Sequence, residues 1–151
     1  MQKQPNSRLC FVCGVENPIG LHLFFYTDEE GRCIARFRPR PEHQGYPGCL
    51  HGGLISTLLD EVMGRVLTHR QVWAMTGRLE VRFRRPVPLD QELTIVAELT
   101  RERTRAYEAR GELRLPDGTV LAEAAGLYIR VPDEFVERAR AELDFWQVVP
   151  D

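Results

Sequence analysis

The 151-residue sequence predicts an α+β fold in which an antiparallel sheet wraps one long apolar helix. Three observations lead there. Leu54, Ile55, Leu58, Leu59, Val62, Met63, Val66 and Leu67 recur at helical spacing and make one broad apolar face. From Gly77 onward the period changes to two: Leu79, Val81 and Phe83 alternate with Arg78, Glu80, Arg82 and Arg84, and Leu93, Ile95, Ala97 and Leu99 continue the pattern. Two further strands, Tyr107 to Leu115 and Val120 to Val131, are joined at Pro116-Asp117-Gly118, a strong turn signal.

In chain order, the first eight residues are polar and are expected to fray. A turn-rich stretch follows, with Cys10-Phe11-Val12-Cys13-Gly14 and Asn17-Pro18-Ile19-Gly20. Leu21 to Tyr26 and Cys33 to Arg38 read as short strands around Asp28-Glu29-Glu30-Gly31. Pro39 to Gly48 holds three prolines and two glycines and must be a loop. Asp133 is placed to cap a closing helix that runs to about Phe145. The whole chain is expected to be one domain, with residues 1–20 as an N-terminal extension packed on it. A highly apolar helix against a single curved sheet is the geometry of a hotdog fold. The last strand is apolar on both faces: Leu121, Ala125, Leu127 and Ile129 on one, Val120, Ala122, Ala124 and Tyr128 on the other. One face covers the helix, and the other calls for a second subunit, so a homodimer or tetramer is expected.

Bulk properties narrow the function. A net charge of −2 argues against a nucleic-acid binder. No apolar run reaches the length of a membrane span, and residues 1–7 lack the apolar core of a secretory signal. The expected compartment is the cytoplasm, with all four cysteines reduced.

The chemistry centres on the start of the long helix. His51-Gly52-Gly53 immediately precedes its apolar face. The first N–H groups of a helix lack intrahelical partners and carry the positive end of its dipole. Glycines there let a ligand approach the backbone, so these amides can hold a carbonyl and stabilise a developing oxyanion. A tight turn that merely accommodates glycine is the competing reading. Asp60 lies about two turns further on, beyond capping range. It fits a general base for water, a nucleophile, or simply a solvated flank residue. Glu61 is the rival carboxylate, explained by an i,i+4 ion pair with Arg65.

The run from His51 to Glu61 resembles the active-site segment of hotdog acyl-CoA thioesterases of the phenylacetyl-CoA thioesterase (PaaI)-like branch. Cys10 to Gly14 with Asn17-Pro18, Gly45-Tyr46-Pro47-Gly48, and Arg85-Pro86-Val87-Pro88-Leu89 extend the resemblance over most of the chain. It implies hydrolysis of an acyl-CoA thioester to free acid and CoA, with no metal and no cofactor beyond the CoA of the substrate. By resemblance, Asp60 is the catalytic carboxylate and the Gly52 N–H polarises the thioester carbonyl. His51 shapes the turn, and Thr76 orients the attacking water. Gly53 belongs to the same substrate-binding turn. The site forms between subunits, with Asp60 facing Gly52 of a partner chain. Some relatives carry an Asn in the preceding loop; Gln44 is the nearest amide here.

A basic strip supplies a docking place for the nucleotide end of CoA. Arg82, Arg84 and Arg85 end one strand, and Arg101, Arg103 and Arg105 cluster near the next turn. The resemblance points to Arg82, Arg84 and Arg105; a solvated strand face is the alternative. The strip is small and lacks interleaved aromatics, which argues against nucleic acid. Leu54, Leu58, Met63 and Trp73 are candidates for the acyl pocket. Cys10-x-x-Cys13 has metal-ligand spacing, but there is no second such pair to complete a tetrahedral set, and packing of the N-terminal segment is the expected role. A redox role calls for a different fold context. The competing functions are a non-catalytic acyl-CoA sensor of the same fold and, last, a hydratase or dehydratase.

Overall fold

The computed structural model describes residues 1–143 and 145–151. Its centre is helix α1, Gly52–Arg65, whose Ile55, Leu58, Leu59, Val62 and Met63 are buried. Strands β1 (Gln2–Lys3), β3 (Phe25–Thr27), β4 (Cys33–Phe37), β5 (Ala74–Phe83), β6 (Leu93–Glu102), β7 (Ala106–Arg114) and β8 (Val120–Arg130) form one antiparallel sheet. Its order is β1-β3-β4-β6-β7-β8-β5. Strand β2 (Asn6–Ser7) pairs with β9 (Trp146–Gln147) in a small second sheet, and helix α2 covers Asp133–Glu142. This is the hotdog fold, with the helix held in the curve of the large sheet.

The alternation along each long strand explains why the sheet curves over the helix. Leu93, Ile95 and Ala97 of β6, Tyr107, Ala109 and Leu113 of β7, and Ala122, Ala124 and Tyr128 of β8 are all buried in the common core. Burial of one Leu- or Ile-sized side chain stabilises by about 1.5–3 kcal/mol, so this shared face dominates the fold's stability. The hairpin at Pro116-Asp117-Gly118 forms as its sequence requires. Gly118 sits at φ 89°, and Asp117 Oδ1 accepts the Thr119 N–H at 2.9 Å.

Four local expectations change. The chain's start is not frayed: Gln4, Asn6 and Ser7 are buried. The Gln4 amide donates to Thr27 Oγ1 and to the Arg65 carbonyl, and the Asn6 amide to the carbonyls of Cys13 and Leu23. Their N–H groups are satisfied by distant acceptors, while Gln4 Oε1 and Asn6 Oδ1 are buried without a hydrogen bond among the described residues; composition alone does not reveal such long-range pairing. The strand expected from Leu21 begins only at Phe25, because His22 takes φ 53° and breaks the extended run. Leu21 and Leu23 instead donate their N–H groups to the carbonyls of Phe11 and Val12. The strand expected from Gly77 begins at Ala74. Finally, Asp133 is the first residue of α2 and not its cap: Pro132 holds that position, and the helix ends at Glu142. Asp144 lies outside the described residues.

Candidate active site

His51 is the N-cap of α1, and its Nδ1 accepts the Gly53 N–H at 2.9 Å. That bond fixes the ring proton of neutral His51 on Nε2. A Cβ on Gly53 would lie 3.0 Å from His51 Nδ1, so the cap needs glycine there. The Leu54 and Ile55 N–H groups both reach the His51 carbonyl. Of the first four helix amides, only that of Gly52 has no acceptor among the described residues. The oxyanion reading of this turn therefore narrows to one donor: Gly53 supports the turn, and Gly52 offers the free N–H. Gln44 lies in the adjoining loop, held by the His51 N–H bond to the His43 carbonyl at 3.0 Å, and is exposed.

Asp60 is half-buried and points to the far edge of the sheet. Its Oδ1 accepts from Thr76 Oγ1 at 2.8 Å and from the Tyr128 hydroxyl at 3.0 Å. The same hydroxyl also lies 3.1 Å from the Asp60 carbonyl. With Oδ1 occupied twice, Oδ2 is left to work on a proton or an acyl carbon. Thr76 and Tyr128 are direct cross-strand partners. An irregularity in the β5–β8 register between Thr76 and Arg78 sets Thr76 in that position. Burial, then the Asp60 charge, push the Tyr128 phenol far above its ordinary range, so it stays a donor.

Sequence reasoning missed Tyr128 as a site residue. A signal was present: on the helix-facing side of β8 it follows Ala122, Ala124 and Gly126, a run of small residues that leaves room for one large ring. A Cβ on Gly126 would come 2.6 Å from that ring, and one on Gly64 of α1 would come 3.5 Å from it.

Asp60, Thr76 and Tyr128 open on a cleft of about 1070 Å³. Its far side carries Trp73 and Trp146, whose rings stack at a tilt 5.9 Å apart, with Arg140 of α2 nearby. Trp73 thus lines the cleft as expected of an acyl-pocket residue. Leu58 and Met63 do not; both are fully buried in the core. Glu61 is paired with Arg65 at 3.0 Å, the i,i+4 ion pair that its spacing requires. Burial raises its carboxyl above the ordinary range, against the pull of Arg65.

Beside Glu61 the cleft holds the donors best placed for a metal: Cys10, Cys13 and Glu61 offer ligand atoms within 4.8 Å of one another. Arg65 weighs against a dication there. Its Nη2 is 2.9 Å from Cys13 Sγ and its Nε bonds Glu61. A unit charge about 4 Å from a dication opposes it by about 8 kcal/mol at an effective dielectric near 20. That offsets much of what a structural zinc contributes.

The arginines fall into two groups. Arg82 pairs with Glu123 across the β5–β8 register, whereas Ala106, next to Arg105, pairs with Ile129. Those β8 positions are six residues, or about 20 Å, apart. Within one chain Arg82 and Arg84 therefore share one end of the sheet, and Arg105 lies at the other. Arg84 binds Glu123 at 2.5 Å, while Arg82 lies 3.7 Å from Glu80 and is well exposed.

Comparison with known proteins places this geometry in context. The Thioesterase superfamily family model matches residues 47–122, the stretch that carries His51, Gly52, Asp60 and Thr76. The acyl-coenzyme A thioesterase THEM4 of Bos taurus is 32% identical over 126 residues, covering 82% of this chain and 52% of that protein. The chain spans about half the length of the curated relatives it matches. Among solved structures, the thioesterase superfamily protein RHA08564 superposes with a TM-score of 0.77 at 30% identity, over 81% of this chain and 63% of that one. The PaaI protein of E. coli, from the phenylacetic acid degradation operon, shares the fold with a TM-score of 0.69 at 17% identity, over 74% and 81% of the two chains.

Proposed function

The chain belongs to the thioesterase superfamily, and from that premise we propose that it hydrolyses acyl-CoA thioesters to the free acid and CoA. The observation that carries the reading is the Asp60 carboxylate, held through Oδ1 by Thr76 and Tyr128 in the lining of the cleft. The Gly52 N–H polarises the thioester carbonyl at the positive end of α1 and stabilises the oxyanion that follows attack. Asp60 either takes a proton from the attacking water or attacks the acyl carbon itself.

One chain is not enough for this chemistry. Gly52 and Asp60 are eight residues apart on one helix, about 12 Å at the α-helical rise. A carbonyl held by Gly52 is therefore beyond direct reach of Asp60 in the same chain, and a second copy supplies the missing half. The outer edge of β5 has no partner among the described residues; Met75 and Phe83 are exposed on that strand, and Ile129, the cross-strand partner of Met75 on β8, is exposed beside them. A long apolar edge of this kind favours pairing, so we read the working unit as a homodimer or a dimer of dimers. Such an assembly also allows Arg82 and Arg84 of one subunit and Arg105 of another to share the nucleotide end of CoA. No helix of the described residues is long and apolar enough to cross a membrane. The four free thiols fit the reducing cytoplasm.

The test is hydrolysis of short, medium, long and aryl acyl-CoAs by the parent and by Asp60→Asn. The parent is expected to turn over at least one class, and the variant to lose at least about a hundredfold in kcat. Equal rates would reject Asp60, and tight binding without turnover by the parent would favour a sensor.

A further inference from the structure

The N-terminal turn brings two thiols and a guanidinium together where the proposed hydrolysis uses none of them. The Gly14 N–H closes on the Cys10 carbonyl at 2.8 Å, folding Cys13 back beside Cys10. A Cβ at Gly14 would lie 2.4 Å from that carbonyl oxygen, so only glycine permits the turn. The Val12 N–H points at Cys10 Sγ at 3.4 Å. On the other side, Cys13 Sγ receives Arg65 Nη2 at 2.9 Å and faces Ser7 Oγ at 3.5 Å. Arg65 cannot swing away easily: Glu61 holds its Nε, and Nη1 donates to the Pro5 carbonyl at 2.7 Å. Both cysteines line the cleft, Cys10 half-buried and Cys13 buried.

From this arrangement we infer that Cys10 and Cys13 form a reactive dithiol, a site at which a hydroperoxide converts the pair to an intramolecular disulfide. Arg65 supplies the positive charge that a thiolate needs, and the cleft supplies access for a small oxidant. The Cys10 hydrogen bond first, then the Arg65 charge, hold the Cys13 thiol below its ordinary range. Cys33 is the internal contrast: it is fully buried, and burial pushes its thiol up to about 12 against the weaker pull of Arg65. In the first step the Cys13 thiolate attacks the peroxide; the O–O bond breaks, an S–O bond forms and hydroxide leaves. The Cys10 thiol then attacks the sulfenic sulfur; an S–S bond forms, and its proton leaves with the hydroxyl as water. Two thiols are oxidised, and one hydroperoxide is reduced.

The full chain, reduced and then treated with a small excess of hydrogen peroxide, provides the test. Trypsin releases a peptide from Leu9 to Arg32 that contains Cys10 and Cys13 and no other cysteine. It is expected to lose about 2 Da, to resist alkylation and to regain both thiols with a dithiol reductant, while Cys33 stays alkylatable. In Cys10→Ser the resolving thiol is gone, so the same peptide should gain oxygen at Cys13. Replacing Arg65 with Met should slow peroxide consumption at least about tenfold when assayed at a pH below the Cys13 pKa, where each unit of rise costs about a factor of ten in thiolate, and Lys should recover most of it. The inference is overturned if the parent peptide keeps both thiols alkylatable. It is likewise overturned if Cys33 or Cys49 oxidises as fast, or if the reduced chain is isolated with one zinc per subunit masking the pair.

Discussion

Removing the Tyr128 hydroxyl isolates what the fold adds to Asp60. In Tyr128→Phe the ring still fills the space above Gly126 and Gly64, so packing is conserved. What disappears is the donor 3.0 Å from Oδ1 and 3.1 Å from the Asp60 carbonyl. A hydrogen bond to a charged group contributes about 1.5–3 kcal/mol, and Thr76 retains the other bond to Oδ1. If most of that energy serves to orient the carboxylate, kcat should fall about ten- to a hundredfold, at 1.4 kcal/mol per decade. The hydroxyl acts through Asp60, so KM for acyl-CoA should change less than about threefold. The melting temperature should drop by about 2–4 °C, the shift for about 1 kcal/mol in a chain of this size. Initial rates followed by the ultraviolet absorbance of the thioester bond avoid interference from the four free cysteines, and a thermal melt gives the stability. Thr76→Val with Tyr128→Phe should be non-additive, because both donors share one oxygen. A Tyr128→Phe enzyme with parental kcat, or one whose whole defect lies in KM, would refute the positioning role.

Co-expression of Asp60→Asn with Gly52→Pro tests the shared site. Proline is tolerated at the first position of a helix and removes only the N–H, so each variant alone should fold and be nearly inactive. Random mixing should restore about a quarter of parental activity, since half the dimers are mixed and each has one intact site of two; no recovery would place the site within one chain. Arg82→Ala should raise KM for acyl-CoA roughly three- to fivefold while leaving a thioester without the nucleotide unaffected, consistent with one exposed ion pair; equal effects would reject phosphate docking. His43 is buried, with Nδ1 accepting the Arg40 N–H at 3.0 Å, and burial holds its pKa below the ordinary histidine range. The unfolded chain therefore binds this proton first. The contribution of neutral His43 is complete above the ordinary histidine pKa and fades as pH falls towards the folded value. Denaturant midpoints should fall across that acid window in the parent and stay flatter in His43→Asn; identical profiles would exclude the residue.

Legibility in the sequence followed the range of the interactions involved. The face of α1 and the long strands were readable because period and burial are local consequences of backbone geometry. The same holds for His51, Gly52 and Gly53, where cap and free amide lie within three residues. Asp60 was readable as a candidate for the opposite reason: a carboxylate on the flank of so apolar a helix needs partners. Those partners are non-local, Thr76 from β5 and Tyr128 from β8, 68 positions away. The terminal segment differs from expectation on the same ground, since the partners of the buried Gln4 Nε2, Thr27 Oγ1 and the Arg65 carbonyl, are far along the chain. For the arginines, alternation gave the shared face of Arg82 and Arg84, but strand order, which puts Arg105 at the other end of the sheet, depends on pairing along the whole of β8. What links near and far is space left by glycine. Gly126 and Gly64 are two and 64 positions from Tyr128, yet both exist in this fold as room for one ring. A glycine in a strand of small residues, two positions before a tyrosine, is thus the local mark of a long-range contact, and here that contact holds the carboxylate assigned to the chemistry.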